Sequence, residues 1–478
     1  MISDPNLFRK TKIVCTIGPT SGSDQMIEKL ALAGMNVVRL NFSHGTYEQH
    51  ASHIEAIRRV SSKLSLPLAI LQDLPGPKIR TGRLKAETVW LQQGDDFTLT
   101  NKQVVGDEHI ASVSLASLPN DVSPGNIIFL NDGAIKLEVA STTDSEIRCK
   151  VVVGGILTPK RGVNIPSVRL NVPSITDEDL SHLLFGLEHG VDFVALSFVR
   201  EADDVRQLKQ FLQAKGADVP LIAKIEKHEA VGNIDEIIAE ADGIMVARGD
   251  LGVEIPLKRV PLVQKELISK CNRVGKPVIV ATQMLQSMIH SPFPTRAEVS
   301  DVANAILDGT DAIMLSGETA IGKYPKEATL MMRRIAIETE MALPYHRILS
   351  EKTETIIPQT DDAISYAACH IAEQLGAVGI IAYTTSGSTA QRVAKYRPKA
   401  PILAIAPKDS VRKKLALYWG VYPYQVPEYA SVEEMFEQGA QLAIRLGLAK
   451  RGDLVVVTAG VPLRVPGSTN MLKVQKID

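Results

Sequence analysis

Cysteine is scarce in this chain: four occur in 478 residues, at positions 15, 149, 271 and 369. They lie far apart with no metal-ligand spacing. Cys15 and Cys271 sit in apolar patterns, so reduced core thiols are expected. A charge excess is missing too. Lysine and arginine number 53 against 54 aspartate and glutamate, a net charge of -1. That balance argues against nucleic acid or an acidic membrane as the main partner. No apolar run approaches the roughly 20 residues of a membrane helix. The opening MISDPNLFRKTK is charged and lacks an apolar core of signal-peptide length, so a cytoplasmic protein is expected. No Gly-x-Gly-x-x-Gly follows a strand-like run, which leaves a dinucleotide site unsupported. Gly317 to Tyr324 comes near a Walker A loop, but Tyr324 stands where magnesium needs a Ser or Thr hydroxyl. The histidines at 50, 53, 182, 189, 228 and 290 show no ligand spacing and are expected at the surface. Cys369 and His370, adjacent on a helical pattern, face different sides and form no dyad.

The content that is present, 45% apolar and 22% charged, is ordinary for a globular protein of roughly three domains. Eight runs nearly continuous in Val, Ile, Leu and Ala recur along the chain. They are TKIVCTIG (11–18), NVVRLNFS (36–43), LAILQDL (68–74), FVALSF (193–198), LIAKIE (221–226), GIMVAR (243–248), PVIVAT (277–282) and AIMLSG (312–317). Parallel strands buried on both faces read this way. Helical patterns lie between them, such as 262–274 with apolar residues at 263, 267, 271 and 274. Another opens at Thr295 with Glu298 three residues on, a capping box. Eight alternations predict a closed (β/α)8 barrel, with an open doubly wound sheet as the alternative. Between about Lys78 and Val172 the texture changes to short alternating strands broken by Gly, Asp and Ser. These predict a small antiparallel β-barrel domain inserted after barrel strand 3, placed as a lid. Past the polar segment EKTETIIPQT, strand and helix patterns resume as an open α/β domain. The expected division is 1–76 plus 172–348 for the barrel, 77–171 for the lid and 349–478 for the C-terminal domain.

In a barrel of this kind the C-terminal strand ends carry the chemistry. Here they are polar from strand 2 to strand 8: Arg39, Asn41 and Ser43; Asp73; Ser197; Lys224 and Glu226; Arg248 and Asp250; Thr282; Ser316 and Glu318. Lys224 and Glu226 alternate with Ile225 and share one face. A cation beside two carboxylates suits a divalent metal next to a phosphate, although a rim ion pair would use the same residue types. Polar groups at every one of those strand ends favour phosphoryl transfer, which needs positioning and charge stabilisation from the protein. Glu226 and Asp250 could hold magnesium. Lys224 and Arg39 could neutralise phosphoryl oxygens. The amides of Gly249, Asp250 and Leu251 could receive a carboxylate.

Taken together, RLNFSHG, QDLPGPKIR, AKIE, MVARGDLGVEIP, ATQMLQSMI and PTRAEVSDVANAILDGTDAIMLSGETAIGKYP resemble the pyruvate kinase family. The match runs in order from Lys12 to about Pro325. The resemblance implies magnesium-dependent transfer of the phosphoryl group of phosphoenolpyruvate to ADP, giving pyruvate and ATP, with manganese able to replace magnesium. It assigns Glu226 and Asp250 as metal ligands, and Lys224 and Arg39 to the phosphoryl group. Gly249, Asp250 and Thr282 bound the carboxylate pocket, and Thr282 also serves the proton relay. Asn41, His44, Arg80 and Arg161 fall on the nucleotide side. A homotetramer is implied as well. Asn41, Ser43, Asp73 and the Leu74 carbonyl match the family's monovalent-cation site, with a departure. Potassium-dependent members carry glutamate where this chain has Lys78, and usually threonine where it has Leu74. A lysine ammonium supplies the charge that potassium brings, so potassium is expected to be unnecessary.

In the C-terminal domain, Thr384, Thr385, Ser386, Gly387, Ser388 and Thr389 lie between a strand and a helix, where hydroxyls and free amides make a phosphate nest. The loop resembles the effector-phosphate loop of regulated members of the family, and Arg464 with the turn 466–470 could complete it. A sugar phosphate and AMP fit equally. Two other readings stay open on sequence alone: an aldolase or phosphomutase barrel acting on phosphoenolpyruvate or pyruvate, and a catalytically dead effector-binding homologue.

Overall fold

The computed structural model describes residues 8–166, 168, 172–426, 431–462 and 469–478. Arg464 and residues 466–468 lie outside them. All eight expected apolar runs are strands, and they close into one parallel barrel. In chain order these are Lys12–Thr16, Val37–Asn41, Ala69–Asp73, Phe193–Leu196, Leu221–Ile225, Gly243–Ala247, Val278–Ala281 and Ala312–Leu315. Each pairs with its neighbours, and Lys12 opposite Ala312 closes the ring.

Strand periodicity splits every strand's side chains between two cores. One set, including Val14, Leu71, Phe193, Ile222, Met245, Ile279 and Met314, fills the lumen. The other set, including Ile13, Val38, Ile70, Val194 and Val280, packs under the surrounding helices. The lumen is therefore a packed interior, and only the strand ends are free for chemistry. Ala416 and Leu417 of the C-terminal domain join the lumen cluster, and Lys12, at the first strand's start, donates to the Val421 carbonyl. The C-terminal domain thus caps the end of the barrel opposite the strand C-termini.

Thr295 caps the helix Arg296–Leu307 as expected, its hydroxyl and the Glu298 carboxylate exchanging bonds with each other's backbone amides. The helix expected over 262–274 runs Val260–Val274 and buries Val263, Leu267 and Cys271. Val274 departs from the pattern at 50% exposure, because the helix stops there at Gly275 in the left-handed conformation (φ 73°).

The inserted domain is sheet-rich. Its strands bond as a six-stranded sheet and a ribbon of Val89–Leu91 with Gly155–Leu157. Its strands pair antiparallel as expected except for Asp96–Thr100 against Ile110–Ser112, which run parallel, and an isolated bridge of Leu84 with Gly106 is parallel as well. Alternation shows which residues face inward but not the direction of the partner strand. The C-terminal domain has the four expected parallel strands, Gly379–Tyr383, Ile402–Ile405, Val421–Tyr424 and Leu454–Gly460. A fifth, Thr469–Lys476, runs antiparallel at the edge. It was missed because an edge strand with one neighbour keeps a largely polar sequence. All four cysteines are free and buried. No helix among the described residues is long and apolar enough to cross a membrane.

Candidate active site

The third, fourth and fifth barrel strands deliver a buried charge cluster at the C-terminal mouth. Lys224 Nζ lies 3.0 Å from Asp73 Oδ1 and 2.9 Å from Glu226 Oε1, and donates to Ser197 Oγ at 2.6 Å. Ser197 passes a hydrogen bond on to the Leu74 carbonyl at 2.6 Å. Arg39, from the second strand, donates to Asp73 Oδ2 at 2.6 Å and to Thr16 Oγ1 at 3.0 Å. Asp73 is thus held between two cations. Burial pushes its carboxyl up, but Lys224 and Arg39 outweigh that and hold it below the usual range. Burial works to strip Lys224 of its proton, yet Asp73 and Glu226 keep it charged and raise its pKa.

The Glu226 carboxyl, unlike that of Asp73, is raised, first by burial and further by the negative charge of Asp250, with Lys224 opposing. Two carboxylates that repel one another at adjacent strand ends, offering only oxygen donors, fit a hard divalent cation such as magnesium.

The backbone here is strained where the strands end. Phe198 (φ 56°), Thr282 (φ 69°) and Gln283 (φ 55°) are all left-handed. That conformation is costly for a β-branched residue and is held by its surroundings. Phe198's amide donates to Glu226 Oε2 at 2.9 Å. The Thr282 hydroxyl accepts from the Gly249 amide at 2.8 Å, and a Cβ on Gly249 would lie 3.5 Å from that hydroxyl. The Thr282 carbonyl accepts from Arg248 Nη2 at 2.8 Å, while Arg248 Nη1 is anchored on Asp301 at 2.7 Å. Gly249, Asp250 and Thr282 therefore converge. Asp250 lies in the short helix Arg248–Glu254, whose amides were expected to face a carboxylate; the Gly249 amide is the one that meets Thr282.

Sequence reading gave no role to Arg248, which ties strand 6 to strand 7. Glu318 was named as a strand-end group, and its buried carboxylate accepts from Leu285 N at 3.1 Å and Ser316 N at 2.8 Å, joining strands 7 and 8. Leu285 is 33 residues from Glu318 in sequence, a partner that spacing cannot reveal.

The turn after strand 2 is closed by Ser43 N donating to Asn41 Oδ1 at 3.2 Å. His44 follows on the surface. Its imidazole is held below the usual range by partial burial and by the nearby cations Arg80, Arg39 and Lys78. Lys78 reaches from the inserted domain to within 3.8 Å of Asp250 Oδ1. Arg80 and Arg161 belong to neighbouring segments of that domain, paired where Arg80 opposes Gly162. Arg80 donates to the Lys160 carbonyl at 3.3 Å, and Arg161 to the Thr158 hydroxyl.

Among the histidines expected at the surface, His50 is buried at 7% exposure, driven inward by ring stacking rather than by ligand spacing. His228 is half-buried, its Nδ1 3.0 Å from Glu229 and 3.5 Å from Glu254. Lys227 meets Glu254 at 2.7 Å, so one of the two carboxylates beside His228 has a lysine partner.

In the C-terminal domain, Gly387 (φ 100°) caps the helix Ser388–Lys395. The Thr384 hydroxyl accepts from its amide at 2.8 Å, and Thr389 bonds Thr469 at 2.7 Å. Ser386 and Ser388 border a cavity of about 910 Å³ between this domain and the barrel. Arg392 and Lys395 line it from the same helix, Lys209 and Lys276 from the barrel.

A closed parallel barrel with a cation-and-carboxylate cluster at its mouth, a sheet-rich insertion and a C-terminal α/β domain defines a barrel phosphotransferase. The pyruvate kinase barrel-domain profile matches residues 8–329, and the pyruvate kinase alpha/beta-domain profile matches 362–475. The pyruvate kinase of Geobacillus stearothermophilus is 51% identical over 98% of this chain and 80% of its own length. Those of Thermotoga maritima and Clostridium acetobutylicum are 49% and 46% identical over 98% of this chain and their full lengths. The chain belongs to the pyruvate kinase family. It is a phosphotransferase of glycolysis, and the aldolase, phosphomutase and dead-homologue readings fall away.

Proposed function

We propose that the chain transfers the phosphoryl group of phosphoenolpyruvate to ADP at the mouth of its barrel, using a divalent metal and no potassium. The observation that carries this reading is the buried set of Arg39, Asp73, Lys224 and Glu226 beside Asp250. Lys224 and Arg39 meet the phosphoryl oxygens as negative charge redistributes among them. Glu226 and Asp250 hold magnesium, for which manganese can substitute, and the metal when bound supplies further positive charge to the phosphoryl group. Gly249, Asp250 and Thr282 receive the substrate carboxylate. The strained Thr282, fixed by Arg248, directs its hydroxyl into the proton path to the enolate. Asn41, His44, Arg80 and Arg161 orient the nucleotide.

We assign the barrel to 1–76 and 172–348, the lid to 77–171 and the regulatory domain to 349–478. Thr384 to Thr389 hold the phosphate of an allosteric effector, and the working protein is a homotetramer in the cytoplasm. The Ser386 and Ser388 side chains at the domain cleft support an effector whose body extends toward the barrel. Lys78, close enough to act on both His44 and Asp250, supports replacement of the monovalent cation.

Pyruvate formation from phosphoenolpyruvate, ADP and magnesium is the test, run in tetramethylammonium and in potassium buffers. Activity in both, differing by less than tenfold (about 1.4 kcal/mol), is expected; a larger potassium effect refutes the role of Lys78. Lys78→Glu is expected to become potassium-dependent. Titrating sugar phosphates and AMP into the same assay identifies the effector. Thr384→Ala should weaken activation without changing the unactivated rate.

A further inference from the structure

His50 has no part in the chemistry above, yet it is built into the turn that carries Asn41, Ser43 and His44. It lies near the start of the helix Tyr47–Leu64, whose Thr46 cap fixes its entry. Its ring stacks on Phe42 at 4.0 Å with planes 9° apart. Its Nε2 lies 2.9 Å from the His44 carbonyl. A carbonyl only accepts, so Nε2 carries the proton and donates. Gly45, between the two, is left-handed (φ 86°), and a Cβ there would lie 3.3 Å from His50 Nε2. One side chain thus grips the turn at two successive points, Phe42 by its face and His44 by its edge.

We propose that His50 is a positioning residue for the nucleotide, holding the turn 41–45 so that Asn41 and His44 meet ADP in register. This rests on the assignment of those two residues to the nucleotide side. The phosphoryl side is anchored separately, since Arg39 is fixed by Asp73 and Thr16. Loss of the grip therefore affects one substrate and spares the other. His44 is exposed, so its freed carbonyl turns to water and the turn loosens without unfolding the helix.

Two variants separate the ring from the proton. His50→Phe keeps the stack and removes the donor. His50→Gln keeps a donor at the matching distance and removes the ring. His50→Phe is expected to raise the KM for ADP about tenfold, with the KM for phosphoenolpyruvate within about twofold and melting nearly unchanged. His50→Gln is expected to recover most of the ADP affinity. A normal ADP KM in His50→Phe, or equal rises for both substrates, overturns the proposal. His44→Ala is measured alongside. A raised ADP KM there with a normal one in His50→Phe rejects positioning alone. A normal value in His44→Ala with a raised one in His50→Phe rejects the nucleotide role of His44 and supports the grip acting through Asn41.

Discussion

At the scale of single residues, Lys224 is where stability and the proposed chemistry meet. It is buried against Asp73 and Glu226, and removing one partner from a buried ionic set leaves uncompensated charge. Lys224→Met is expected to lower kcat about a thousandfold and to cost about 3–5 kcal/mol of stability. Adding Asp73→Asn to that variant should return part of the stability and none of the activity. Denaturant titration beside the pyruvate assay reads both. A single variant that keeps full activity removes the role given to Lys224. Much of this site was legible in the sequence, because a polar group at each strand end is conspicuous against apolar runs. The grip of His50 was not legible, since a stacked ring leaves no spacing signature. Nor was that of Arg248, whose partners are Asp301 in the helix Arg296–Leu307 and Thr282 just past the seventh strand.

At the scale of elements, the barrel strands were readable because parallel strands covered on both faces are apolar throughout. The edge strand Thr469–Lys476 and the parallel pair in the inserted domain were not, because neither edge position nor strand direction is written in alternation. The helix Ser388–Lys395 shows how an element gains meaning from both its ends. Its N-terminus is the proposed phosphate loop. Just past its C-terminus, Arg397, left-handed at φ 51°, forms a buried bidentate pair with Asp311 at 2.7 and 2.9 Å. Lys395 pairs with Asp362 at 2.9 Å. Arg397→Met should cost about 3–5 kcal/mol, because Asp311 stays buried without its partner. Chemical denaturation checks this. An unchanged midpoint would mean that the backbone bonds at Asp311 alone hold the junction.

At the scale of the whole molecule, the barrel's base is shared with the C-terminal domain, and its electrostatics should be visible in the pH dependence of stability. Burial brings Lys12 down from 10.5 to about 7, with Arg9 adding to the effect. Below that value both folded and unfolded chains are protonated there and the cost of burying the charge is fully present. Between about 7 and 10.5 the unfolded chain holds the proton and the folded one does not, so this group's contribution to stability rises with pH, by at most about 1.4 kcal/mol per pH unit. Lys12→Met should therefore be more stable than the parent at pH 7, with the difference shrinking by pH 9.5. Urea titrations at several pH values decide it, and a constant difference contradicts the buried charge.

Asp311 belongs to this base as well, and its side chain also accepts from the amide of Val278 at 3.1 Å. From Val278 the chain runs through one strand of four residues, roughly 13 Å long, and arrives at Thr282. The far domain and the strained threonine are thus opposite ends of a single extended segment, embedded in an interior too dense to absorb a shift. A shift at Arg397 is therefore expected to be carried along this strand to Thr282, the residue proposed for the proton path.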